Sequence, residues 1–200
     1  MIHSAETKDA QTADDGVRLD DQFTSKSRTV MLFGKIDDKL AQLTCRRLLS
    51  LAGESERPIT LLICSPGGHV EAGDAIHDLV RFVAAPVFML GTGWVGSAAT
   101  HIFLAAPKER RLCLPNTRFL IHQPAGGTGG QATDIAIQAE QIIRTRARIA
   151  RVIATQTGQP LDKVAQDIER DLWMDVEEAM TYGIISRVIA TQAELTQLQG

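Results

Sequence analysis

Residues 59–91, ITLLICSPGGHVEAGDAIHDLVRFVAAPVFMLG, carry the reading of the fold. ITLLIC (59–64) is a short apolar run rich in β-branched residues and closed by a Ser-Pro-Gly-Gly turn, which predicts a buried strand. From about His69 to Val83 the apolar residues Ala72, Ala75, Ile76, Leu79 and Val83 recur at helical spacing. Pro86 ends the pattern, and VFMLG (87–91) returns to strand character. Strand, helix and strand in about thirty residues argue for an α/β domain with a largely parallel sheet.

The rhythm continues on both sides. TVMLF (29–33), RLCL (111–114), RFLI (118–121) and IISRVI (184–189) read as further strands. Asp37 or Asp38 caps a helix carrying Leu40, Leu43, Leu48 and Leu51, stopped at Gly53. Another helix begins at Ser97. The longest follows the GGTGG loop (126–130), with Ile135, Ile142, Ile149, Val152 and Ile153 as a stripe up to Gly158. Asp175, Glu178 and Gly183 frame the last helix. The chain is therefore expected to be an α/β domain with a largely parallel sheet, over residues 21–192. Residues 1–20 are polar and lack an apolar period, a flexible tail, and residues 193–200 are expected to be a second tail.

Composition excludes several classes. The chain has 200 residues, 44% of them hydrophobic, and a net charge of −3, with no block of like charges, which argues against nucleic acid as a partner. Cys45, Cys64 and Cys113 lie inside apolar runs without a metal or disulfide spacing, as buried thiols of a reducing compartment do. With no apolar leader and no eighteen-residue apolar stretch, a soluble cytoplasmic protein without membrane contact is expected.

In an α/β domain, sites gather where strands end and helices begin, which points to CSPGGHV (64–70) and GTGWVGSAA (91–99). Of eight serines, Ser97 differs from the rest by following a glycine at a strand-to-helix turn among small neighbours, open to a substrate backbone. A serine at a helix start is equally a plain cap. Two histidines compete as its base. His101 stands four residues on, on the same helix face, and His122 ends the strand RFLI before Gln123-Pro124. Spacing leaves them tied. A buried carboxylate for the far imidazole nitrogen could be Asp134, Asp167, Asp171 or Asp175. The backbone N–H groups of Gly67 and Gly68, with that of Ala98, could surround an oxyanion.

Six ordered motifs narrow these choices: SPGG (65–68), Gly-x-x-x-Ser-Ala (93–98), CLPN (113–116), IHQP (121–124), GQATDI (130–135) and TGQ (157–159), ending in ERD (169–171). Together they resemble the proteolytic subunit of the Clp protease, a serine peptidase family, from about Thr29 to Ala190. The resemblance implies a ClpP/crotonase-like fold of repeated units with a protruding handle at about 123–158. It implies Ser97 as nucleophile, His122 as base, Asp171 as orienter, and backbone groups of Gly68 and Ala98 as oxyanion hole. It further implies two stacked seven-membered rings with the active sites inside, coupled through Asp134 and Arg170. An apolar pocket with Leu62, Phe82 and Leu112 would dock a Clp AAA+ ATPase. Peptides and unfolded proteins would be the substrates, with no cofactor in this chain and ATP used by the partner.

Thr60, Leu62 and Leu112 stand where aromatic residues are common in that pocket, and Trp94 and Val95 where small residues are common near the serine. These departures suggest a second isoform in a mixed barrel. The rivals are a catalytically silent ring subunit and a crotonase-like acyl-CoA enzyme, and the presence of all three triad residues speaks against both.

Overall fold

The computed structural model describes residues 22–127 and 129–200, so the tail expected at 1–20 lies outside the described residues. Its elements are β1 (Thr29–Phe33), α1 (Asp38–Glu54), β2 (Ile59–Ser65), α2 (Val70–Phe82), β3 (Val87–Gly96), α3 (Ala98–Phe103), β4 (Arg111–Cys113) and β5 (Arg118–Ile121). They continue with α4 (Ala132–Thr157), α5 (Leu161–Asp167), β6 (Leu172–Met174), α6 (Val176–Tyr182), β7 (Arg187–Val188) and α7 (Gln192–Gln199).

The main sheet runs β1-β2-β3-β4-β7, all parallel, as buried βαβ units require. One face of it, with Val30, Leu32, Leu61, Ile63 and Met89 fully buried, belongs to the main core shared with the helices. β3 is longer than its apolar run suggests. Its first half pairs with β4 through Met89–Gly91, and its second half pairs with β5 through Trp94–Gly96. The segment GTGWVG is thus strand, not turn, and the reversal of direction is compressed into Ser97.

β6 lies antiparallel to β5, with Ile121 opposite Leu172. Neither it nor α5 was foreseen, because LWM and LDKVAQD are too short to show a period. Of the run 184–189 only Arg187 and Val188 pair as strand, while Ile184 and Ile185 are buried in the turn after Gly183. The long helix α4 ends at left-handed Gly158 as read, and its second half buries Ile149, Ala150 and Ile153. Its first half stands away from the core, with Ile135, Ile137 and Ile143 exposed.

The C-terminal residues correct the expectation of a tail. Thr191 and Glu194 form a reciprocal capping box, and α7 lays Leu195 and Leu198 on a second apolar cluster of Phe88, Leu90, Leu112 and Ile189. Gln199 Nε2 also donates to Thr60 Oγ1 over 2.9 Å. A Thr-x-x-Glu signal was present in the sequence and marks this start.

Candidate active site

Half-buried Ser97 owes its position to backbone geometry. It sits at φ 56° and ψ −122°, in the left-handed half of the map where a non-glycine residue is strained. The strain is held by Ser97 N–H donating to Leu120 O (2.9 Å) and by Thr100 Oγ1, which bridges Val95 O and Leu120 O at 2.8 Å each. A strand end and a helix start are thereby locked to the end of β5. Relief of this strain should be measurable. Ser97→Gly is expected to be about 1 kcal/mol more stable than Ser97→Ala, whose Cβ keeps the strain. That corresponds to a melting temperature roughly 2–4 °C higher, and equal melting of the two variants would contradict it.

The β5–β6 register supplies the next two groups. With Ile121 opposite Leu172, the residues just beyond, His122 and Asp171, face each other across the antiparallel pair. Gln123 tightens the pairing, its N–H donating to Ile168 O (2.7 Å) and its Nε2 to Glu169 O (3.0 Å). In consequence His122 Nε2 lies 2.7 Å from Ser97 Oγ, and His122 Nδ1 lies 3.1 Å from Asp171 Oδ1. The structure brings Ser97, His122 and Asp171 together, with His122 hydrogen-bonded to Ser97 and within ion-pair distance of Asp171.

The other candidates are engaged elsewhere. His101 turns to Asp74, with Nε2 at 2.9 Å from its Oδ1, and stacks on His77. Asp167 accepts from the Tyr182 hydroxyl and Lys163, and Asp175 caps α6. Asp134 lies in the first turn of α4 with its side chain exposed, and Arg170 is exposed beside Asp171. One expectation fails in the isolated chain: the carboxylate was read as buried, yet the Asp171 side chain is 61% exposed and that of His122 27%. A short strand at the rim of the sheet has nothing among the described residues to cover it.

The SPGG turn packs directly against the serine. A Cβ on Gly67 would lie 2.6 Å from both Gly96 O and Ser97 Cβ, and one on Gly68 would lie 2.1 Å from Ile36 O. Neither position admits a side chain. Ile36 N–H donates to Gly67 O and Ile36 O accepts from His69 N–H, both at 2.9 Å, so the Gly68 N–H points away from Ile36. The Gly67 N–H is taken by Ser65 Oγ at 3.0 Å. Of the two glycine donors considered from sequence, Gly68 is thus the one without a backbone partner among the described residues, and the Ala98 N–H is a first-turn donor of α3 without an intrahelical partner.

Bulk expected beside the serine goes elsewhere. Trp94 stacks on Trp173, with centroids 6.0 Å apart, and Trp173 carries Arg118 over its ring. Of the three free cysteines, burial pushes Cys45 up and Cys113 up to about 11, so neither is a ready nucleophile. Leu62 and Leu112 fall in the cluster beneath α7, where Leu112 is 1% exposed. Phe82 is 78% exposed at the end of α2 and does not belong to that cluster.

The Clp protease family model matches residues 16–192. The chain belongs to the Clp protease family. It is 53% identical over 170 residues to the ATP-dependent Clp protease proteolytic subunit 3 of Rhizobium johnstonii, covering 85% of this chain and 88% of the relative. With the proteolytic subunit 2 of Gluconobacter oxydans it shares 54% over 170 residues, covering 84% and 76%. Among solved structures, ClpP1 from Listeria monocytogenes superposes with a TM-score of 0.80 at 46% identity, covering 87% of this chain and 98% of that one. The α/β architecture is therefore that of the Clp peptidases, and the chain is a serine-type Clp proteolytic subunit.

Proposed function

We propose that Ser97, His122 and Asp171 are the catalytic triad of an endopeptidase that cleaves peptides and unfolded proteins. The observation that carries this is the 2.7 Å contact between Ser97 Oγ and His122 Nε2 at a strained strand-to-helix turn. His122 Nε2 takes the hydroxyl proton as Ser97 Oγ bonds to the substrate carbonyl carbon, and the carbonyl π electrons move onto its oxygen. The Gly68 and Ala98 N–H groups donate to that oxyanion. Its collapse breaks the C–N bond, His122 gives its proton to the leaving amine, and water then hydrolyses the acyl-serine by the same base. Asp171 holds the proton on Nδ1 and stabilises the imidazolium.

Two stacked heptameric rings would place this chemistry in a closed chamber. The isoleucines exposed on the first half of α4 support self-association through the handle, and the exposure of Asp171 fits a triad completed by a neighbouring subunit. Asp134 and Arg170 would then pair across the rings, in a homo-oligomer or with a second Clp proteolytic subunit. A cytoplasmic Clp AAA+ ATPase would feed the chamber, docking at the apolar surface around Leu62, Leu112 and Phe82, part of which α7 overlies.

A fluorophosphonate reagent tests the central claim. Ser97 is expected to be labelled in the assembled protein, alone or mixed with a related subunit, and the adduct located by peptide mass mapping. An assembly that never reacts in either state would make the chain a silent ring subunit.

A further inference from the structure

The pocket beside Ser97 has one wall that the triad does not use. Val70, Ile121, Ile149 and Ile153 make it apolar, and His101 lines it together with Ser97 and His122. His101 is 5% exposed, and both of its ring nitrogens are buried without an aligned hydrogen-bond partner among the described residues. Thr100, also in the wall, has already spent its hydroxyl on Val95 O and Leu120 O.

The imidazole is held from behind. Its Nε2 lies 2.9 Å from Asp74 Oδ1, off the line of the N–H but near enough for the carboxylate to keep the ring proton on that nitrogen. Arg148 fixes Asp74 with a two-pronged contact, Nη1 to Oδ1 at 2.7 Å and Nη2 to Oδ2 at 2.6 Å. Burial pushes the Asp74 carboxyl up, yet the close contacts with His101 and Arg148 outweigh it and hold the group well below the usual carboxylate range. His77 stacks on the His101 ring with centroids 4.4 Å apart and 10° between planes, and its own Nδ1 contacts Asp78 at 3.2 Å. With its proton on Nε2 and its plane clamped, His101 has Nδ1 as its acceptor.

We propose that this pocket selects a small side chain bearing a hydrogen-bond donor, serine or threonine, at the substrate residue whose carbonyl Ser97 attacks, and that His101 Nδ1 is the acceptor that reads it. The cavity volume of ≈ 30 Å³ sets the size limit. A buried acceptor facing an aliphatic group stays unsatisfied, which is the source of discrimination. An apolar wall alone would prefer valine to threonine, so the sign of the preference is diagnostic.

This inference rests on the peptidase reading, and the experiment separates the two. Matched peptides differing only in threonine versus valine, and in serine versus alanine, before the scissile bond are assayed with the full-length assembled protein, alongside fluorophosphonate labelling of Ser97. The hydroxyl member of each pair is expected to have a kcat/KM about three- to tenfold higher. In His101→Leu the ratio should fall to one or below, and His101→Asn, which restores an acceptor, should recover part of it. Damage to the fold alone would slow both peptides alike. A labelled wild-type enzyme with a ratio of one or below overturns the role of His101 and leaves the peptidase standing, as does a His101→Leu ratio unchanged from wild type. Absence of both labelling and cleavage overturns the two together.

Discussion

Replacing His122 by alanine is expected to slow peptide hydrolysis about 10⁴- to 10⁶-fold, because the Ser97 hydroxyl then has no group to take its proton. The double variant Ser97→Ala/His122→Ala should be no slower than either single variant. Residues that act as one unit lose the whole reaction path at the first deletion, leaving only the background given by binding and the oxyanion donors. His101 offers the control. It is four residues from Ser97 on the same short helix, but its Nε2 is committed to Asp74. His101→Ala is expected to cost less than about 10²-fold, through altered pocket shape. Single-turnover rates with a short peptide, with native mass to verify assembly, decide the matter. An active His122→Ala enzyme beside an inactive His101→Ala enzyme would exchange their roles.

That tie between histidines shows what a sequence can and cannot carry. The choice of Ser97 was local, a small-residue turn between a strand and a helix, and the backbone at that turn is strained as such a turn requires. The base was not local. His122 and Asp171 meet only through the antiparallel register of β5 with β6, and β6 is a three-residue strand with no periodicity of its own. The motif order IHQP and ERD stood in for that register.

The main sheet was legible because its strands read as short unbroken apolar runs, with the inner ones, β2, the first half of β3 and β4, largely buried. Where this failed, the reasons are specific. Gly91-Thr92-Gly93 has turn composition but continues as strand, since β3 passes from one partner to another there. The apolar stripe on α4 was read along the helix up to Gly158, yet only its second half buries residues in the core. Periodicity reports that a face is apolar and says nothing of whether the partner lies within the same chain.

Gly68→Ala provides the second large effect, and it separates transition-state stabilisation from binding. At φ +156° and with its Cβ direction filled by Ile36 O at 2.1 Å, position 68 cannot take alanine without moving the backbone. The bridge to Ile36, which directs the Gly68 N–H away from that residue, must open. Loss of one oxyanion donor is expected to lower kcat by about 10²- to 10³-fold. KM should change little, because a donor aimed at the developing oxyanion contributes far less to the ground-state carbonyl. Gly34 serves as comparison: it has positive φ but open space around its Cβ, so Gly34→Ala carries only the backbone penalty and should keep activity within about tenfold. Steady-state kinetics on assembled protein resolve the two parameters. A Gly68→Ala enzyme with wild-type kcat would mean that its N–H takes no part, and the oxyanion would then rest on Ala98 and the dipole of α3 alone.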